Sequence, residues 1–237
     1  MPNGLSHYAM QGSQEVLDSI FNGSLMALPG QKYYYTNPPS ILLTIIIERI
    51  YGKSLDKIAS ELFFDPLNMQ STTFYPKNLK NHDIAPSEID LRGEVHSEVH
   101  DEAAWALSKI NKLAGNAGLF SNAQDLVKFS QMLLSRGNYN GHQYFSKAIY
   151  KQIYTNQIEN LGDIAGLGWE LNQPHFMGTK ASAQCFGKTG FTGTSILVDP
   201  IKQISIVILT NRTYPKRPKD SKQICKVRSK IADIIFE

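Results

Sequence analysis

The sequence predicts an α+β domain. Helical periodicity fills most of residues 13–160, an antiparallel hairpin follows near residues 194–210, and one amphipathic helix comes after it. Expected boundaries are a helical and loop region over about 13–160 and a hairpin with C-terminal helix over about 185–237, within a single domain spanning 1–237.

Taken in order, Ser13 to Phe21 has helical spacing, with Val16, Ile20 and Phe21 apolar, and Asn22-Gly23 stops it. Pro29-Gly30 marks a turn before the aromatic cluster Tyr33-Tyr34-Tyr35. Proline suits the first turn of a helix, so Pro38-Pro39 starts the next one near Pro39. It runs through Ile41, Leu42, Ile45, Ile46 and Ile50 to Gly52 and is expected to be a buried core helix. Its apolar run is far too short for a membrane span. Ser54 is a natural N-cap for a helix over Leu55 to Phe64, closed by Asp65-Pro66.

Residues 66–112 are weakly periodic and read as loops with short elements, including the small tandem Glu94-Val95-His96 and Glu98-Val99-His100. Ser121-Asn122-Ala123-Gln124 has the form of a capping box opening a helix that carries Leu126, Phe129, Met132 and Leu133. Another helix starts at Ser146. The period then changes: Thr194 to Val198 and Ile204 to Thr210 read as strands around a turn at Asp199 to Gln203. Ser221 to Phe236 is expected to put Ile224, Val227, Ile231 and Ile235 on one apolar face.

The composition, 42% hydrophobic and 19% charged over 237 residues, is that of an ordinary globular chain with a sizeable core. A net charge of +3, with its basic excess between Arg212 and Lys230 diluted by Asp220, reads as a solvated loop and helix face rather than a nucleic-acid stripe. Cys185 and Cys225 form no metal-type pair and read as two free, partly buried thiols, with a single disulfide left open by the sequence. The first residues, MPNGLSHYAMQGSQE, lack the basic and apolar regions of a signal peptide, so the chain as written stays where it is made.

Two segments carry chemistry-bearing residues. In Phe186-Gly187-Lys188-Thr189-Gly190-Phe191-Thr192-Gly193, glycines let a ligand approach the backbone, Lys188 offers a positive charge to a carboxylate, and Thr189 a hydroxyl. In Tyr35-x-Asn37, a tyrosine beside a lysine can serve as a base, and the asparagine can hold a substrate carbonyl or amide. A glycine-rich turn and a packed aromatic cluster explain either tripeptide taken alone.

Together, in this order, Tyr35-Thr36-Asn37 and Lys188-Thr189-Gly190 resemble the motifs of the β-lactamase-related serine hydrolases: class C β-lactamases, low-molecular-weight penicillin-binding proteins and related esterases. Further landmarks agree, among them Phe64-Asp65-Pro66-Leu67-Asn68-Met69, Ala117-Gly118-Leu119-Phe120-Ser121, Gly166-Leu167-Gly168-Trp169 and Leu209-Thr210-Asn211-Arg212. The resemblance runs from about residue 15 onward. It implies a β-lactamase/transpeptidase-like fold and acyl transfer on D-alanyl peptides, β-lactams or esters, with no cofactor and no metal. It also implies roles: Tyr35 as catalytic base, Asn37 on the substrate amide, Lys188 orienting a carboxylate and biasing the Tyr35 proton, and Thr189 adding a hydrogen bond. The Phe191 N–H, just past Gly190, becomes one half of an oxyanion hole. Members of this family are often exported.

The family's nucleophile is the serine of S-x-x-K, upstream of Y-x-N. Of the serines before Tyr35, none of Ser6, Ser13, Ser19 and Ser24 has a lysine three positions on. The one such motif, Ser54-Leu55-Asp56-Lys57, falls after Tyr35, where the family has an ordinary N-cap, and is read as a decoy. The chain is therefore expected to lack the N-terminal strands and helix of its family, to be inactive alone, and to leave its hairpin with an unpaired neighbour and an exposed apolar face. The EVH tandem and Lys188, where relatives often carry histidine, are departures from the family pattern. A separate chain supplying S-x-x-K is the partner an active half requires. The alternative is a non-catalytic remnant keeping a ligand groove at Tyr35, Asn37 and Lys188. A third reading, a metal site at His96, His100 and Asp101 on helical i,i+4 spacing, lacks the glutamate of H-E-x-x-H, and solvated loop histidines are the expected account.

Overall fold

The computed structural model describes residues 12–78 and 84–237; Ser6, the N-terminal pattern and part of the loop-rich stretch lie outside them. The chain forms two compact units. Of the described residues, one unit contains 12–66, 70–78, 84–121 and Tyr214–Arg217; the other contains Leu67–Met69, Asn122–Thr213 and Pro218–Glu237.

The first unit is helical with one small hairpin. Helix α1 (Ser13–Asn22) starts at Gly12, whose N–H donates to Glu15 Oε2. Helix α2 (Pro38–Tyr51) begins with the two prolines and ends where Gly52, at φ 64°, returns its N–H to Glu48 O. Helix α3 (Leu55–Ala59) runs into a π-turn, Ser60–Phe64. Ser54 stands at its N-terminus, but the hydroxyl makes no cap bond; Glu48 Oε1 instead accepts from the Leu55 N–H at 2.9 Å. The loop-rich stretch contains β1 (Glu88–Asp90) paired with β2 (Gly93–Val95), then α4 (Glu102–Ser108). Val16 and Leu17 of α1, Ile41 of α2 and Ala103, Ala104, Ala106 and Leu107 of α4 form the core. Gly115 packs so closely on α2 that a Cβ would lie 2.6 Å from Thr44 Oγ1.

Helix α2 is not the buried core helix its apolar run suggested. It buries Ile41 and Thr44 and leaves Leu43, Ile46 and Ile50 exposed. The small Thr44 gives the close approach to Gly115 that a leucine at that position would block.

The second unit is a four-stranded antiparallel sheet between helices. Its elements are α5 (Ala123–Leu134), the hairpin β3 (Asn138–Tyr139) and β4 (His142–Gln143), α6 (Lys147–Ile153), β5 (Glu170–Leu171) and α7 (Pro174–Met177). Then come β6 (Phe186–Thr189), β7 (Ser195–Asp199), β8 (Ile204–Ile208) and α8 (Lys222–Ile235). The sheet order is β5-β6-β7-β8, with Lys188 opposite Ile196, Thr189 opposite Ser195 and Leu197 opposite Ile206. Phe176, Met177, Cys185, Leu197, Ile206, Ala232 and Phe236 pack one face. On the other, the Phe186 ring meets Tyr150 and Trp169, and the Tyr150 hydroxyl donates to Leu133 O at 2.6 Å. On the Phe176 and Leu197 face Gly187 is required, since a Cβ would lie 2.5 Å from Leu197 Cδ2 and 2.6 Å from Ile196 O.

Three expectations are corrected here. Helix α5 is capped by Asn122, whose side chain accepts from the Asp125 N–H, because the Ser121 hydroxyl is bonded to Thr72. The buried stripe of α8 is Ile224, Arg228 and Ala232, with Val227 and Ile235 exposed. The hairpin does not expose an apolar face: Leu197, Val198 and Ile206 are buried. Among the described residues its open feature is the edge of β8, which pairs with β7.

Candidate active site

The Y-x-N segment belongs to the first unit. Pro38 and Pro39 force the helix to begin there, which makes Asn37 the N-cap residue of α2. Its side chain makes no cap bond. Instead Nδ2 donates to Asp101 Oδ2 at 3.0 Å, while Asp101 Oδ1 accepts from the Ala104 N–H at 2.9 Å and caps α4. A carboxylate accepts only from the NH2 side of an amide, so the orientation of Asn37 is chemically determined. Tyr35, two residues earlier, is 70% exposed.

Around Asp101 lies a buried ionic cluster. Glu88 receives Arg217 Nε and faces His100 Nε2 at 2.8 Å, and Arg217 also reaches Glu102 at 2.9 Å. Burial pushes the Glu88 carboxyl up, but the hydrogen bonds from Arg217 and His100 outweigh it and hold it below the usual glutamate range. Asp90 is likewise pushed up by burial, but the bonds from the Arg92 guanidinium and backbone N–H, with the charges of Arg92 and Arg217, together hold it below its ordinary value; the Arg92 guanidinium also donates to Val99 O and His100 O.

These contacts correct the reading of His100 only, since His96 is an exposed loop residue as expected. His96 and His100 are not on a helix. His96 Nε2 is bonded to Ile84 O at 2.7 Å, and His100 is largely buried on Glu88, not solvated. Asp101 is committed to Asn37 and α4. Among the described residues no three side chains gather as metal ligands.

Lys188, Thr189, Gly190 and Phe191 belong to the second unit, where they run consecutively from β6 into the turn before β7. The Lys188 ammonium lies 3.0 Å from Glu170 on the neighbouring strand. The Gly190 N–H donates to Thr194 O at 2.7 Å and closes the turn. Glycine is needed at both ends: a Cβ on Gly190 would lie 2.2 Å from Thr194 Oγ1, and one on Gly193, at φ 119°, 2.4 Å from Thr210 Oγ1. Two arginines hold the turn's carbonyls. Arg228 Nη2 donates to Gly190 O at 3.2 Å and Thr194 O at 2.7 Å; Arg212 Nε donates to Phe191 O at 2.8 Å. Burial lowers the Arg228 guanidinium from its ordinary value; arginine remains charged regardless.

Sequence reasoning missed Asp101, Glu170 and Arg228 as parts of these arrangements. Arg228 was legible from its spacing, four residues from both Ile224 and Ala232. Glu170 gave no local signal, and Asp101 drew only the metal-site reading with His96 and His100.

Comparison with known proteins follows the same lines. The Beta-lactamase family model matches residues 1–227. A curated Escherichia coli K12 protein named "Putative D-alanyl-D-alanine carboxypeptidase" is 33% identical over 224 residues, covering 86% of this chain and 50% of that protein. Its Salmonella enteritidis counterpart is 32% identical over 224 residues, at 86% and 51% coverage. The chain thus spans about half the length of the curated relatives it matches. Among solved structures, a β-lactamase from Mycobacterium bovis superposes with a TM-score of 0.62 at 22% identity, covering 90% of this chain and 66% of that one. The octameric penicillin-binding protein homologue from Pyrococcus abyssi gives 0.63 at 22% identity, with 88% and 45% covered. These two show a shared β-lactamase/penicillin-binding-protein-like α+β fold.

Proposed function

The chain belongs to the β-lactamase family of serine hydrolases, and from that premise we propose that it carries the Tyr35 and Lys188 components of an acyl-transfer site for D-alanyl peptides, β-lactams or small esters. On this reading residues 1–237 are one partial β-lactamase-like domain. Tyr35 is the general base, and Lys188 is the cation of the site. Asn37 binds the substrate amide, Lys188 and Thr189 bind a carboxylate, and the Phe191 N–H is an oxyanion donor. The observation that carries the reading is the β6 end, where a cation, a hydroxyl and a turn with its carbonyls held by arginines follow one another.

The acyl-accepting serine is proposed to come from outside these residues. Ser54 and Lys57 both sit exposed at the start of α3; the Ser54 hydroxyl makes no cap bond, and on this reading its position after Tyr35 rules it out as the nucleophile. A peptidoglycan-like peptide is the proposed ligand, and a segment bearing S-x-x-K the proposed partner. No helix among the described residues is long and apolar enough to cross a membrane.

The test is intact-mass spectrometry of the folded chain after exposure to a fluorescent penicillin and, separately, to a fluorophosphonate. No adduct is expected on the chain alone. A stoichiometric adduct mapped to Ser54, or to any other serine here, overturns the assignment and makes the chain an autonomous enzyme.

A further inference from the structure

Arg228 is buried on α8 at 3% exposure, and among the described residues no carboxylate forms an ion pair with it. A buried guanidinium without a counter-charge is expensive. What it receives in return is the oxygen of Gly190 and the oxygen of Thr194, 3.2 and 2.7 Å from Nη2. The same Thr194 oxygen accepts the Gly190 N–H at 2.7 Å, so one carbonyl links the guanidinium to both ends of the turn.

The consequence lies in the next peptide. The Gly190–Phe191 bond is trans, and a trans peptide is planar with its C=O and N–H pointing in opposite directions. Holding Gly190 O on Arg228 therefore aims the Phe191 N–H away from the helix. Arg212 restrains the following plane, through its 2.8 Å bond to Phe191 O and with its guanidinium carbon 5.0 Å from the Phe191 ring centroid. We propose that Arg228 is a positioning residue that sets the direction of the Gly190–Phe191 peptide, and through it the oxyanion-hole N–H of Phe191. The catalytic meaning of this role rests on the acyl-transfer reading above; the orientation itself does not.

The experiment is amide NMR on the ¹⁵N-labelled chain, comparing wild type with Arg228→Met and Arg228→Lys. In Arg228→Met the Phe191 resonance moves and the Gly190 N–H, which is bonded to Thr194 O, exchanges with solvent about tenfold faster or more, while the amides of Ile206 and Ala232 keep their protection. Arg228→Lys, which keeps the charge, returns Phe191 part of the way. An unchanged Phe191 in a folded Arg228→Met chain overturns the proposal. So does acceleration spread evenly over the core, the mark of a packing role. If Arg228→Met does not fold, the wild-type Arg228 Nη protons decide: slow exchange supports the proposal, and fast exchange overturns it. Adding N-acetyl-D-alanyl-D-alanine separates the two claims. If Phe191 responds to Arg228→Met but is untouched by the peptide in wild type, the positioning role stands and the substrate reading falls.

Discussion

Asn37 illustrates how a residue at a helix start is diverted from capping. Asparagine is a favoured N-cap because its oxygen reaches the exposed N–H groups of the first turn. Here Nδ2 is drawn to Asp101, and the single carboxylate serves both Asn37 and the start of α4. The two duties are separable. Asp101→Asn keeps a competent cap and is expected to leave stability nearly unchanged, whereas Asp101→Ala costs about 1 kcal/mol. Both remove the charged acceptor, so both shift the Asn37 side-chain NH2 resonances. Thermal unfolding together with side-chain amide NMR checks this, and unmoved Asn37 resonances in both variants would refute the assigned orientation. At this scale the sequence marked Tyr35, Asn37, Lys188, Thr189, Gly190 and Phe191 by motif. It hid their supports, because Asp101 is 64 positions from Asn37 and Arg228 is 38 from Gly190. A motif is local in the chain, and the groups that orient it are not.

Among the elements, α8 shows where periodicity misleads. Reading apolar side chains alone selects Ile224, Val227, Ile231 and Ile235, yet the buried line is Ile224, Arg228 and Ala232. An arginine reads as a surface residue because its cost of burial is high and its compensation, two backbone carbonyls in a distant turn, is absent from the helix's own sequence. The corrected face is testable by substitution. Ile224→Ala should cost about 2–4 kcal/mol as a cavity-forming change. Lysine at Ile235 should stay within about 0.5 kcal/mol, as for an exposed position. Denaturant midpoints for the two variants measure the contrast, and equal losses would restore the face predicted from apolar residues. Elsewhere the hairpin, α1, α6 and the start of α2 were legible, because prolines, glycines and strict alternation act through the backbone of the residues that bear them. The short α4 depends on the core it shares with α1 and α2, and the choice of Asn122 over Ser121 as cap depends on Thr72, 49 positions from Ser121, and so both escaped.

Across the whole chain, the cluster around Glu88 ties residues far apart in sequence. Arg217 lies 129 positions from Glu88 and 115 from Glu102. The adjoining Ile89 N–H donates to Pro215 O at 2.8 Å, so the Tyr214–Arg217 segment belongs with the early part of the chain. Joining such distant segments carries a loop-closure cost, which grows only slowly with length, and buried charge-assisted hydrogen bonds offset it. Their contribution must depend on pH. Glu88 and Asp90 are held below their ordinary values in the folded chain, so below the unfolded values the unfolded state binds more protons than the folded one. The stabilisation is therefore complete above the ordinary carboxylate values of about 3.9–4.3 and is lost as pH falls through the lower folded-state values. Thermal midpoints should hold steady from pH 7 toward pH 5 as far as these two groups are concerned, then drop below about pH 4. Glu88→Gln should begin about 1–3 kcal/mol less stable at pH 7. Its curve should fall less steeply in acid and approach wild type near pH 3, because protonation has by then removed the charge that the substitution removed. Curves that stay parallel down to pH 3 would show that Glu88 does not carry the acid sensitivity and that the cohesion of this unit lies in its apolar core.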